Sequence, residues 1–140
     1  VLLGDNIFTH DLRPAVQRFS AQDRGGVIFG VEVEHPEHYG VIEMDGERVV
    51  GIEEKPKRPR SRLIQTGIYM YDNQVWSHLA GLEPSARGEL EITDLNNVYV
   101  SAGTMRCETL QGYWIDAGTS HDELLAANVE VARLRGEGEL

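Results

Sequence analysis

Lysine is nearly absent from this chain. Two occur in 140 residues, Lys55 and Lys57, and both fall inside "EEKPKRPRSR" at residues 53–62. Lys and Arg together number 13 against 23 Asp and Glu, a formal net charge of −10, so the chain has no basic face for DNA or RNA and nucleic acid is not an expected partner. One cysteine, Cys107, excludes an internal disulfide and a cysteine-rich zinc site and suits a reducing compartment, so a cytoplasmic protein is expected. No apolar run approaches the ~20 residues of a membrane-spanning helix, and the opening residues do not read as a signal peptide, so no membrane partner is expected. Glycine is not scarce, but it forms no phosphate cradle. The "GEG" at 136–138 has no strand before it and no helix after it, and "RGG" at 24–26 is too short for an RNA-binding segment. The histidines at 10, 35, 38, 78 and 121 lack metal-ligand spacing, and nothing singles out a nucleophile beside them.

What is present is ordinary for a globular domain: 41% hydrophobic and 26% charged residues, enough chain for one core. "VLLGDN" reads as a buried strand that delivers Asp5 to its end. The opening straight into an apolar run suggests an N-terminally truncated chain. "HDLRPAVQRFSA" predicts a helix with Asp11 as N-cap and Leu12, Ala15, Val16 and Phe19 on one face. "GVIFGVEVEHP" predicts a strand closed by Pro36. "YGVIEMDGERVVGIEEKP" predicts a hairpin turning at Asp45-Gly46, and "LIQTGIYMYD" another strand, with Asp72 or Asn73 capping a short helix after it. "EITDLNNVYVSAG" predicts a helix burying Ile92, Leu95 and Tyr99 and stopping at Gly103. "TMRCETL" and "GYWIDAG" read as strands. Ser120 followed by Glu123 forms a capping box for a long helix with Leu124, Ala127, Val131 and Leu134 on one face, and "GEGEL" reads as a frayed end. Strands alternating with helices give the α/β class.

Two aspartates, Asp5 and Asp116, each follow a strand, where open α/β sheets gather catalytic groups. Brought together, two carboxylates suit magnesium, which completes its shell with water and phosphate oxygens. Turn residues are the alternative, since Gly-Asp-Asn and Asp-Ala-Gly are turn-prone. In the basic run, Pro56 and Pro59 impose an extended path and no aromatic residue is interleaved, unlike a nucleic-acid patch. Lys55 at the end of a strand can fix a point charge for a phosphate, with Lys57 through Arg62 a mobile solvated loop. A wholly solvated charge run is the competing reading.

With "LGDN", "YGV", "EEKP", "GELEITD" and "WIDAG" in order, and "PSARGELEITD" at 84–94, the chain resembles the sugar-1-phosphate nucleotidylyltransferase family from Val1 to about Arg135. Within that family the resemblance is strongest to the glucose-1-phosphate thymidylyltransferase branch. It implies a mixed, Rossmann-like sheet flanked by helices, with residues 1–140 forming a single partial nucleotidyltransferase domain on the sugar-phosphate side. The family's glycine-rich nucleotide loop is not among these residues. Also implied is nucleotidyl transfer from dTTP to glucose 1-phosphate, yielding dTDP-glucose and pyrophosphate in the dTDP-rhamnose pathway. Magnesium is the implied cofactor and a homotetramer the implied assembly; the 140 residues alone are expected to be inactive. UDP-, ADP- or CDP-sugar synthesis, or a non-catalytic sugar-phosphate-binding module, are the alternatives.

Carried over position by position, the resemblance makes Asp5 and Asp116 the magnesium ligands, with Asn6 beside them. Tyr39 and Gly40 resemble the segment lying against the sugar, the glycine standing where a side chain would collide. Glu54 resembles the acceptor for sugar hydroxyls, and Lys55 and Arg87 the two cations on the sugar phosphate. Gln65 and Gly67 resemble pocket-lining positions, although the family often has an apolar residue at 65. Trp114 resembles a pocket wall.

Overall fold

The computed structural model of the chain describes residues 1–22, 24–85 and 88–138. In chain order the elements are β1 (Asn6–Phe8), α1 (Arg13–Ser20), β2 (Gly26–Glu32), a 3-10 turn (Pro36–His38), β3 (Gly40–Asp45) and β4 (Arg48–Glu54). Then follow β5 (Leu63–Tyr71), α2 (Val75–Ala80), α3 (Ile92–Ser101), β6 (Met105–Thr109), β7 (Trp114–Asp116) and α4 (His121–Glu137). Five strands form one mixed sheet in the order β4-β3-β5-β2-β6, in which β2 and β6 run parallel and the other pairs antiparallel. The remaining two, β1 and β7, form a separate antiparallel ribbon with Asn6 opposite Asp116 and Phe8 opposite Trp114.

The large sheet is buried on both faces, which is why β2 and β5 read as near-continuous apolar runs. One face packs Ile28, Ile42, Ile52 and Tyr69 against Leu95 and Tyr99 of α3. The other packs Val27, Phe29 and Ile68 against Ala15 of α1 and Leu110. Each fully buried side chain of this size stabilises the fold by about 1.5–3 kcal/mol. A register shift between Ile28 and Gly30 breaks the β2–β5 ladder, and the Thr66 hydroxyl donates to the Phe29 carbonyl there at 2.9 Å. At the sheet's edge strand β4, the Asn97 carboxamide meets Ile52 on both backbone groups, accepting from its N–H at 3.0 Å and donating to its carbonyl at 2.7 Å. One side chain thereby fills a vacancy that a neighbouring strand would otherwise fill.

The hairpin, the strand at 63–71, the helix from Ile92 and the Ser120 cap form as the sequence predicts: the Ser120 hydroxyl accepts from the Glu123 N–H at 3.1 Å. Five expectations are corrected, one of them at α2, whose N-cap position is Gln74 with no side-chain cap hydrogen bond and not Asp72 or Asn73. The run "VLL" is not a buried strand; it is attached to β5 by one bridge, Leu2 opposite Ile68, and Val1 remains 71% exposed. Asp11 does not cap α1, whose N-cap position is Leu12, because the Asp11 carboxylate is taken by the Arg13 N–H and guanidinium. The basic loop is tied down rather than solvated throughout: the Ser61 hydroxyl donates to the Ile42 carbonyl at 2.6 Å, Arg62 to the Val33 carbonyl at 3.0 Å, and Arg60 pairs with Glu43 at 3.4 Å. The last helix does not fray at Gly136; it continues to Glu137 and closes on Gly138 in the left-handed conformation that glycine adopts without strain.

Candidate functional site

Short strands place the acids. In the β1–β7 ribbon, Asn6 and Asp116 face one another, and the Asp5 carbonyl accepts the Ala117 N–H at 2.8 Å, so the two aspartates sit at one end of a paired ladder. Asn6 binds this ribbon to the large sheet. Its Oδ1 accepts from the Gly67 N–H and from Trp114 Nε1–H, both at 2.8 Å, and its Nδ2 donates to Asp5 Oδ1 at 3.0 Å. A Cβ on Gly67 would lie 2.5 Å from Asn6 Nδ2, so only glycine lets the two sheets come this close. The Asp116 Oδ1 atom accepts the Gly118 N–H at 2.9 Å, and Asp5 Oδ2 lies against Gly118.

The large sheet supplies the rest. β4 ends at Glu54, and Lys55 follows with φ of +44°, a left-handed conformation that an L side chain adopts at a cost of about 1–2 kcal/mol. Its N–H donates to the Tyr39 carbonyl at 3.0 Å, which fixes the turn. The strand's alternation stops there, so Lys55 shares with Glu54 a cavity that regular pleating would have allotted to one of them. Gln65, Gly67 and Tyr69 occupy one face of β5. Gly40 is explained differently from expectation: a Cβ there would sit 2.4 Å from Gln65 Nε2, so the side chain it makes room for is the protein's own.

Asp5, Asn6, Tyr39, Gly40, Glu54, Lys55, Gln65, Gly67, Trp114 and Asp116 all line this one cavity, of about 410 Å³. Arg87 lies outside the described residues. A second cavity of about 410 Å³, bordered by Phe19, Arg24 and Asp72, contains none of the candidates, so convergence of chemistry and not size distinguishes the site. Tyr39 and Trp114 meet edge to face, centroids 6.0 Å apart, as one wall, and the Tyr39 hydroxyl donates to Glu123 of α4 at 3.2 Å. Burial, followed by the negative charge of Glu123, pushes the Tyr39 phenol up.

Sequence reasoning missed Tyr69 and Thr93. Tyr69 is 3% exposed, and its phenol is pushed up by burial and by the carboxylates of Glu54, Asp116 and Asp5, so it stays a protonated donor beside three acids. The two-residue period from Gln65 through Gly67 leads directly to it. Thr93 reads as a polar position on a helix, yet it is buried and donates to Glu54 Oε2 at 2.5 Å. Nothing in local spacing signals that contact, which spans 39 residues.

Comparison with known proteins fits this arrangement. The family model for nucleotidyl transferases matches residues 1–133. Glucose-1-phosphate thymidylyltransferase of Xanthomonas campestris pv. campestris (strain B100) is 46% identical over 140 residues, covering 96% of this chain and 48% of the relative. The enzyme of that name from Actinoplanes sp. is 45% identical over 143 residues, covering 99% and 46%. The chain thus spans about half the length of the curated relatives it matches. A Bacillus anthracis crystal structure with sucrose bound, of a protein assigned as a glucose-1-phosphate thymidylyltransferase, superposes with a TM-score of 0.85 at 46% identity, covering 92% of this chain and 52% of that one. A UDP-glucose pyrophosphorylase complexed with UDP-glucose superposes at 0.80 with 20% identity, covering 95% and 55%, a likeness of fold alone. The mixed sheet, the order of the matched segments and the identity across nearly all of its length agree: this chain belongs to the nucleotidyl transferase family.

Proposed function

We propose that the whole protein transfers a thymidylyl group from dTTP to glucose 1-phosphate, releasing pyrophosphate, and that this chain holds the sugar phosphate. The observation that carries the reading is the meeting of Asp5, Asp116, Glu54 and Lys55 on one cavity, contributed by two separate sheets. A phosphate monoester has a second pKa of about 6, so its attacking oxygen is already ionised at neutral pH and no general base is needed. The barrier is the approach of two anions, and catalysis becomes positioning and charge neutralisation.

Lys55, held by its left-handed turn, is the point charge for the sugar phosphate, with Arg87 as its second cation. Glu54 accepts sugar hydroxyls, Tyr39 and Trp114 give the ring a wall, and Gln65 and Gly67 form the floor. The donor set fits magnesium: Asp5 and Asp116 are hard oxygen donors on one cavity, and magnesium takes one or two protein carboxylates and completes its shell with waters and phosphate oxygens. Bound there, it would offset charge between the two phosphates. No helix among the described residues is long and apolar enough to cross a membrane. On the family likeness alone, we further propose a cytoplasmic homotetramer that serves the dTDP-rhamnose pathway.

A turnover assay on the full-length protein with glucose 1-phosphate and each of dTTP, UTP, ATP and CTP tests this reading. The expected result is magnesium-dependent release of pyrophosphate, fastest with dTTP. Preference for UTP, ATP or CTP would reassign the nucleotide, and no turnover with any would leave the sugar-phosphate-binding module.

A further inference from the structure

One line of hydrogen bonds leads away from this cavity into the core. The Tyr71 hydroxyl donates to Asn96 Oδ1 at 2.7 Å, and Asn96 Nδ2 donates to Gln65 Oε1 at 2.8 Å. Gln65 Nε2 donates to Thr93 Oγ1 at 2.7 Å, and the Thr93 hydroxyl donates to Glu54 Oε2 at 2.5 Å. Gln65, Thr93 and Asn96 are 6%, 2% and 0% exposed, so water does not compete for these bonds. Every donor points the same way, and the chemistry of the groups dictates that direction. A carboxylate only accepts, so Thr93 must donate to it. Thr93 is then free to accept only from the amide nitrogen of Gln65, whose oxygen must turn to the nitrogen of Asn96. The Asn96 oxygen in turn faces the Tyr71 hydroxyl, and burial pushes that phenol up, which keeps its proton in place.

We infer that Gln65, Asn96 and Tyr71 are positioning residues for sugar recognition: acting through Thr93, they fix one oxygen of Glu54 and leave the other to the substrate. Glu54 Oε1 makes no hydrogen bond among the described residues, while Glu54 and Gln65 line the cavity and Thr93, Asn96 and Tyr71 do not. A glutamate at the end of an edge strand has several rotamers, and a single bond from Thr93 does not orient it unless Thr93 is itself held. Gln65 does this, braced from behind by Asn96. A buried chain of aligned donors also polarises along its length, strengthening the terminal bond to the carboxylate. The space that Gln65 needs explains the glycine at position 40.

The inference rests on the sugar-phosphate reading of the cavity, and one titration separates the two. Affinity of the full-length protein for glucose 1-phosphate and for inorganic phosphate is measured by calorimetry or phosphorus NMR, with thermal midpoints recorded alongside. Thr93→Val, an isosteric loss of the hydroxyl, is expected to weaken glucose 1-phosphate roughly thirtyfold, as for a hydrogen bond to a charged group, and Thr93→Ser to restore most of it. Gln65→Leu and Tyr71→Phe, each removing neutral bonds further back, are expected to cost roughly fivefold and threefold. Inorganic phosphate, which has no sugar hydroxyl for Glu54, is expected to stay within twofold throughout. Should the unaltered protein fail to bind glucose 1-phosphate, the reading of the cavity falls and the relay with it. Should the unaltered protein bind but folded Tyr71→Phe, which does not line the cavity, match it within 1.5-fold, the relay alone is overturned, whatever Gln65→Leu does. Parallel losses for both ligands would likewise overturn it, because they mark general damage to the cavity.

Discussion

The two sheets of this protein hold their polar groups by different means. The β1–β7 ribbon has three residues in each strand, none fully buried, and it positions Asp5 and Asp116 through backbone pairing and one side chain, Asn6. The five-stranded sheet positions Glu54 and Gln65 from within a packed core, using buried side chains of α3. Under the proposed roles, acids that keep water and phosphate oxygens suit a thin platform. A carboxylate that selects among sugar hydroxyls suits anchoring by buried side chains, where a hydrogen bond is stronger and a misplaced group costs more.

The sharpest way to break this contrast is at the ribbon's acids. Asp116→Asn in the full-length protein is expected to lower magnesium-dependent turnover by about a thousandfold or more, with the fold intact by circular dichroism. Turnover near the unaltered rate would remove the ribbon from the chemistry. Asn6→Ala removes three hydrogen bonds at the seam and is expected to cost about 2–4 kcal/mol in urea denaturation. A loss under about 0.5 kcal/mol would mean that the ladder alone holds the ribbon. On the large sheet, Lys55→Ala is expected to weaken glucose 1-phosphate roughly twentyfold while Lys57→Ala stays within twofold, since a placed cation contributes about 1.5–2 kcal/mol to binding a phosphate. Equal effects would show that the basic run acts as a diffuse field. The smallest effect concerns pH and lies far from the cavity. Desolvation alone would raise the Asp72 carboxyl, but hydrogen bonds from the Gly25 N–H, the Tyr99 hydroxyl and the Gln74 N–H leave it below its usual value. Its contribution to stability is therefore complete above its unfolded pKa of about 3.9 and lost as pH falls through the folded value. Asp72→Asn is expected to flatten that part of the stability profile measured by urea titration.

How much of this was legible in the sequence depends on the distance over which the signal acts. The Ser120–Glu123 cap and the Asp45-Gly46 hairpin are local, and they appear where expected because a few adjacent residues determine them. Val1 to Leu3 misled because an apolar run predicts burial only when something lies over it: the segment is held to β5 by backbone hydrogen bonds to Gly67 and Tyr69, yet its side chains stay exposed. Asp11 misled because an arginine two residues on took the carboxylate that a cap would have used. The candidate site residues were drawn from ordered motifs and a family likeness, and the fold places every described one of them around a single cavity. Spacing could not show how Asn6 stitches two sheets together, or that Thr93 reaches Glu54, because both are facts of packing between segments remote in sequence.

The left-handed backbone at Lys55 sets two kinds of selection against each other. A library sorted for resistance to heat should drift toward glycine at this position, since glycine occupies the same conformation without penalty. Sorted for capture of a phosphorylated sugar, the same library should return to lysine.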